Sequence, residues 1–319
     1  MNDIAAAVSV LRNSQLVAFP TETVYGLGAD AASEVALANL YRVKGRPLDH
    51  PVIVHIADAS QLDVLGVGVP ETARALATAF WPGPLTLVVQ RNRSKVSDGA
   101  TGGRDTVGLR VPRHPLALEL LTNFGGGVAA PSANRFGKVS PTTAAHVRAD
   151  LGDDVEVVLD GGPCIVGVES TIVDCSRGDE VRILRVGDVG IDQVAAIIGT
   201  TPILATTGEI SAPGTLASHY TPDAQVEIVD ARELAPAVER HQQMNEEVRV
   251  GVLALADVLI NVTGVTVLES PETVVEFAQV LYARLREADD KHLDLLLVVP
   301  PPAGGIGNAV RDRLSRAAR

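Results

Sequence analysis

Apolar and polar positions along the first 200 residues predict short strands interleaved with helices. Residues 2–13 carry a polar-capped helical pattern, and QLVAFP reads as a short strand entering the loop PTETVYGLG. Ser33 is a good N-cap for EVALANLYRVK, where Glu34 and the apolar positions 37, 40, 41 and 43 support a helix. PVIVHIA predicts a strand, ETARALATAFW a helix stopped by Pro82-Gly83-Pro84, and LTLVVQ a strand leading into a polar, Gly-rich loop over 92–105. TVGLRVP, GVAAPS, VEVVLD, STIVDC and VRILRVG add further short strands. So many strands with few matching helices predict a mixed, strongly twisted sheet instead of a plain doubly wound one.

From 200 to 224 the pattern lapses into Thr, Ser, Pro and Gly, the composition of a linker. Alternation then restarts with QVEIVD, a helix over about 231–243, VRVGVLAL, VTVLE, a helix over about 272–287 and LDLLLVVP. GIGNAVRDRLSRAAR closes the chain as a Gly-rich turn into an amphipathic helix. The expected organisation is a domain over 1–200, a linker over 201–224 and a smaller, near-parallel α/β domain over 225–319. No internal repeat is visible.

Composition narrows the class. With 319 residues and 46% hydrophobic content the chain can bury a large core, and aromatics at only 3% leave that core to Val, Leu, Ile and Ala. No run of about 18 apolar residues exists to span a bilayer. The N-terminus places its acid early and its Arg late, the wrong order for a secretory signal, so a soluble, cytoplasmic protein with no membrane partner is expected. Cys164 and Cys175 are the only cysteines and form no C-x-x-C pair, which supports neither a disulfide framework nor a zinc site. The net charge of −12 is spread over both halves and argues against holding nucleic acid by bulk electrostatics. A local basic cluster nevertheless occupies 91–113, with Arg91, Arg93, Lys95, Arg104, Arg110 and Arg113 against Asp98 and Asp105. For Arg91, Arg93 and Lys95 a solvated loop is the better reading.

Common nucleotide signatures are missing. RFGKVS lacks the first glycine of a P-loop, and Gly26-x-Gly28 lacks the third glycine of a dinucleotide fingerprint. There is no G-x-S-x-G elbow and no His pair at metal-ligand spacing. The chemistry-bearing residues lie instead in PTETVYGLGADA, KGRP and APSAN, each at a strand end or turn where an α/β protein builds an anion site. Lys44 and Arg46, at the end of the 33–44 helix, suit phosphate or simple dipole complementation. Ser132 and Asn134 suit sugar or phosphate oxygens, or an ordinary Asx turn. Arg110 lies among apolar strand residues and must find an anion or reach solvent, a ligand carboxylate being a good candidate. By itself His55 reads as a satisfied core histidine.

PTETVYGLGADA, K-G-R-P with a following H-P, PVIVHI, WPGPLTLVV, VGLRVP, APSAN…SPT, GVESTIVD and ILRVG occur in the order and at the spacing of the YrdC-like threonylcarbamoyl-AMP synthases, which this sequence resembles. The resemblance is dense over residues 1–200, continues through APGTLASHYTP as in the longer two-domain members, and is looser beyond. It implies a twisted mixed sheet with helices around a concave cavity and a Rossmann-like C-terminal domain. The implied reaction makes L-threonylcarbamoyladenylate and pyrophosphate from L-threonine, bicarbonate and ATP with Mg2+. The implied partners are tRNA threonylcarbamoyl-transfer proteins downstream, and stable tRNA binding is not expected. Carried over residue by residue, the catalytic K-x-R and S-x-N tetrad is Lys44, Arg46, Ser132 and Asn134. The threonine positions are Thr23, His55, Arg110, Ala130 and Ser170, and the ATP positions are Arg46, His50, Thr106, Ser132, Ser140, Arg185 and Tyr220. No resident metal ligand is implied. His50 stands where the family commonly has Asn. Thr215, Leu216, Ala217 and Ser218 stand where many relatives have basic and aromatic residues, while His219 and Tyr220 keep a lid role open for the linker. Two alternatives of the same fold are an RNA-binding module and a carbamoyltransferase.

Overall fold

A computed structural model of the chain describes residues 3–178, 180–205, 220–258 and 262–318. The chain divides into two compact units. Unit 1 comprises Met1–Phe136, Ser140–Ile165 and Glu169–Thr215; unit 2 comprises Gly137–Val139, Val166–Val168 and Leu216–Arg319.

Among the described residues of unit 1 the strands are β1 (Val17–Phe19), β2 (Gly26–Asp30), β3 (Ile53–His55), β4 (Leu85–Gln90) and β5 (Thr106–Arg110), followed by β6 (Val128–Ala129), β7 (Val157–Val158), β8 (Thr171–Arg177), β9 (Glu180–Arg185) and β10 (Ile203–Leu204). They form one mixed sheet in the order β10-β9-β8-β4-β5-β3-β6-β2-β1-β7. Antiparallel neighbours such as β1–β2 and β4–β5 are mixed with parallel ones such as β3–β5 and β4–β8. The period of two sorts side chains to the two faces. Ala18, Val54, Leu87 and Leu109 enter one apolar cluster, against which helices Glu71–Phe80 and Ile191–Ile198 pack. Val17, Phe19 and Val128 enter a second cluster, with α1 (Ile4–Arg12) and helix Pro115–Phe124.

The expected helix after Ser33 is α2 (Glu34–Lys44), whose Ser33 hydroxyl accepts from Ala36 N–H. Gly45 ends it in the left-handed region at φ 69°, where a side chain would be strained. Gly28 answers the question left by Gly26-x-Gly28: a Cβ there would stand 2.9 Å from both Phe19 and Val128. That glycine serves sheet packing, not a phosphate.

Several helices exceed the sequence expectation. Pro115–Phe124, Ala144–Leu151 and Ile191–Ile198 are helical, so the helices are not few. Each is short and directly follows a strand or turn, which hid its 3.6-residue period. The 92–105 loop contains the helical turn Asp98–Thr101, and β10 falls inside the expected linker, parallel to β9. Arg91 also departs from its reading as solvated: it is buried and paired with Asp98.

Unit 2 has a four-stranded parallel sheet in the order β11-β14-β12-β13, from Gln225–Ile228, Val250–Leu253, Thr266–Val267 and Leu295–Val298 for β11 to β14. Helices Leu234–Met244, Val274–Asp290 and Ile306–Ala317 accompany it, the Rossmann-like pattern expected. In the same unit Tyr220 is buried at φ 63°, stacked on Tyr282 with ring centroids 5.3 Å apart, and the buried Arg313 guanidinium lies 5.8 Å from its ring. Residues 206–219, which hold Thr215, Leu216, Ala217, Ser218 and His219 of the expected lid, lie outside the described residues.

Truncating the central core side chain in Leu109→Ala is expected to destabilise the fold by about 2–5 kcal/mol. Val35→Ala, at a position 71% exposed, is expected to change it by about 0.5 kcal/mol or less. Urea melts followed by circular dichroism check the contrast.

Candidate active site

Strand register assembles the floor of the site. Val54 and Leu109 face the first apolar cluster, so His55 and Arg110, directly opposite one another in the parallel β3–β5 pair, face the other side. Thr86 joins them, because Leu87 is the partner of Leu109 in β4–β5. Arg185 reaches this face through an irregularity. Val173 pairs with Ile183, but Ile172 pairs with Arg185, so one extra residue of β9 is accommodated and the side chain is re-aimed. Its guanidinium donates from Nε to Ser170 O at 3.0 Å and from Nη2 to Ser170 Oγ at 3.1 Å. Ser170 Oγ in turn lies 2.8 Å from Thr86 Oγ1.

Two loops lie beside this floor. Residues 20–25, between β1 and β2, are buried throughout. They are tied to the segment after β6 by Tyr25 N–H to Pro141 O at 2.9 Å and Ala133 N–H to Tyr25 O at 2.9 Å. Thr21 Oγ1 lies 2.8 Å from Thr23 Oγ1 and accepts from the amides of Thr23 and Val24, both at 3.2 Å, which shapes the turn.

Lys44 joins helix α2 to the same segment. Its ammonium is buried and lies 2.6 Å from Ser132 O, 3.3 Å from Ser132 Oγ, 3.0 Å from Asn134 O and 3.0 Å from Asn134 Oδ1. Burial first, and the nearby Arg46 charge second, push its pKa well below the usual lysine value, with Asp150 and Glu169 opposing. Arg46 donates to His50 O at 3.3 Å and Pro51 O at 3.0 Å, and its guanidinium lies 5.9 Å from the Phe136 ring. Both cations are thus bonded to backbone oxygens here, and Lys44 also meets the side chains of Ser132 and Asn134. His50 is near the same ring, at 5.9 Å between centroids. Ser140 donates to Glu169 Oε1 at 2.8 Å.

Thus Thr23, Lys44, Arg46, His50, His55, Arg110, Ala130, Ser132, Asn134, Ser140, Ser170 and Arg185 all belong to unit 1 and its connected hydrogen-bond and strand-register framework. Ala130 contributes its N–H to Ile53 O at 2.8 Å. Thr106 stands apart at the start of β5, about 13 Å along the strand from Arg110. Tyr220 belongs to unit 2.

Sequence reasoning missed Glu22. This carboxylate has no exposed surface, and its Oε2 lies 3.0 Å from Arg110 Nη2 and accepts Arg113 N–H at 3.0 Å. The anion that Arg110 required is therefore present in the protein itself. The only signal was an acid between two threonines in a loop that is otherwise small and apolar.

Comparison with known proteins matches residues 9–187 to a family described as Telomere recombination, with the model name Sua5_yciO_yrdC. Residues 188–319 match Threonylcarbamoyl-AMP synthase, C-terminal domain. A threonylcarbamoyl-AMP synthase of Bacillus subtilis is 40% identical, covering 99% of this chain and 92% of the relative. The chain belongs to the Sua5/YrdC family. A Pyrococcus abyssi threonylcarbamoyl-AMP synthase is 39% identical over 98% of this chain and 93% of its own length. The structure of P. abyssi Sua5 complexed with L-threonine superposes at a TM-score of 0.91, with 38% identity over 99% of this chain and 94% of that one. The mixed sheet and the small parallel sheet are thus the architecture of this family's two-domain form.

On this face of the sheet His55 has a measurable signature. Its ring meets Phe19 edge-on at 5.8 Å, and its buried Nδ1 has no hydrogen-bond partner. Burial, then the Arg110 charge, lower its pKa from 6.5 to about 3. Between those values the unfolded chain binds a proton that the folded chain does not. Stability should therefore fall as pH drops through this window, by about 1.4 kcal/mol per pH unit for this group. His55→Gln is expected to flatten the dependence in urea melts between about pH 7 and 4.5. Equal slopes for the two proteins would contradict the assignment.

Proposed function

We propose that this protein is an L-threonylcarbamoyladenylate synthase. It converts L-threonine, bicarbonate and ATP to L-threonylcarbamoyl-AMP and pyrophosphate, an activated group for threonylcarbamoylation of the adenosine beside the anticodon of tRNA. The observation that carries this reading is the match of the whole chain to threonylcarbamoyl-AMP synthases, including a Sua5 whose structure holds L-threonine.

In the proposed reaction the threonine amine forms a carbamate, whose oxygen attacks the α-phosphorus of ATP as pyrophosphate leaves. Little proton transfer is required at the phosphoryl step, so positioning and charge stabilisation suffice. Arg110 clamps the threonine carboxylate, with Thr23, His55, Ala130 and Ser170 shaping the substrate's surroundings. Lys44, Ser132 and Asn134 hold a wall for the nucleotide, joined by Arg46, His50, Thr106, Ser140 and Arg185. Among the described residues no group of three or more His, Cys, Asp or Glu is gathered to hold a metal ion. Magnesium is assigned to the ATP phosphates and enters as part of that substrate. Residues 1–200 carry the catalytic site in this proposal. The enzyme works in the cytoplasm and delivers its product to tRNA threonylcarbamoyl-transfer proteins.

Pyrophosphate release by the purified protein with Mg-ATP should require both L-threonine and bicarbonate. Release without threonine, or none from folded protein, would point to the carbamoyltransferase or RNA-binding alternatives. Arg110→Ala is expected to abolish threonine-dependent release while ATP binding, read by calorimetry, stays within a few-fold of wild type. Parallel loss of both would refute this division of roles.

A further inference from the structure

Glu22 is a buried titratable group that the proposed reaction has not used. A carboxylate taken this far from water is costly unless its oxygens find donors or a cation. Oε2 does so, through Arg113 N–H and the Arg110 guanidinium, each at 3.0 Å. Oε1 is buried and makes no hydrogen bond. Arg110 is incomplete in the complementary way. Its Nε donates to Gly83 O at 3.2 Å, whereas Nη2 approaches Glu22 without the alignment of a hydrogen bond. The pair is held by charge and leaves an acceptor on Glu22 and a donor on Arg110 without a directed partner.

An α-amino acid carries both missing partners on one carbon, an ammonium and a carboxylate. We propose, resting on the synthase reading above, that Glu22 receives the substrate's ammonium group while Arg110 receives its carboxylate. The two residues then form a charge-paired slot for the zwitterion. The pairing is selective in both directions. An anion without an amine meets Glu22 as a like charge, and an amine without a carboxylate meets Arg110 as one. Only the zwitterion satisfies both groups and leaves the local net charge unchanged. The neighbouring loop geometry supports the placement, since Glu22 lies between Thr21 and Thr23 in the same buried turn.

The test compares two ligands on wild type and on Glu22→Gln. L-Threonine is one, and 3-hydroxybutanoate, which keeps the carboxylate and hydroxyl but lacks the amine, is the other. Titration calorimetry on wild type should show threonine binding at least about 10-fold more tightly than the analogue. In Glu22→Gln threonine should weaken by roughly 10- to 100-fold, while 3-hydroxybutanoate should bind more tightly than it does to wild type. A residue with only a structural role would weaken both ligands together, and that result overturns the proposal. Where Glu22→Gln does not fold, Glu22→Asp, which keeps the charge but shortens its reach, takes its place. Threonine weakened by roughly 10-fold with 3-hydroxybutanoate unchanged upholds the proposal. Threonine unaffected, or both ligands weakened together, overturns it, as does equal affinity of the two ligands for wild type. Wild type that binds neither ligand overturns the synthase reading and this slot with it.

Discussion

The Lys44 ammonium is placed where a charge is expensive, and the surrounding loops are arranged to keep it there. A fully buried cation must be met by oxygen, and Ser132 and Asn134 present four oxygens within 3.3 Å. Ser132 O accepts the Asn134 N–H at 3.0 Å as well, so the turn and the ammonium share one acceptor. Phe136 N–H donates to Lys44 O at 2.8 Å, so the end of helix α2 docks on the same segment from both directions. That segment also receives the amide of Leu27 through Pro131 O at 2.8 Å. Three stretches distant in sequence, near residues 20–27, 41–46 and 131–141, therefore share one anchoring point.

A second property follows from the same economy of charge. The cations on the site's elements are already matched within the protein: Arg110 by Glu22, Arg185 by Ser170, and Arg46 by the carbonyls of His50 and Pro51. An acidic protein can then recognise anionic ligands without an open basic groove. Recognition becomes an exchange of partners, in which a ligand must replace internal contacts in kind. Such exchange favours shape and charge placement over long-range attraction and is less sensitive to salt.

The strand pattern was legible where it was local. LTLVVQ coincides with β4, and EVALANLYRVK with α2 together with its Ser33 cap, because alternation and capping are properties of adjacent residues. The helices at Pro115–Phe124 and Ala144–Leu151 were not legible, since neither opens on the clear apolar period and breaker that marked Glu71–Phe80. The order of motifs disclosed the family. It could not disclose the extra residue in β9 that turns Arg185 onto the site face, because a bulge is defined by its partner strand. Glu22 escaped for a related reason. Its importance comes from Arg110, which lies 88 positions away in sequence and meets it only through the fold.

Trp81 is the single tryptophan of the chain, and its indole N–H donates to Leu85 O at 2.7 Å. It thus caps the start of β4, one residue before Thr86, whose hydroxyl contacts Ser170. Fluorescence from this one indole consequently originates at the start of an inner strand of the mixed sheet, while unit 2, which has no tryptophan, is silent in the same emission. The protein carries a built-in optical reporter confined to the unit that holds the mixed sheet.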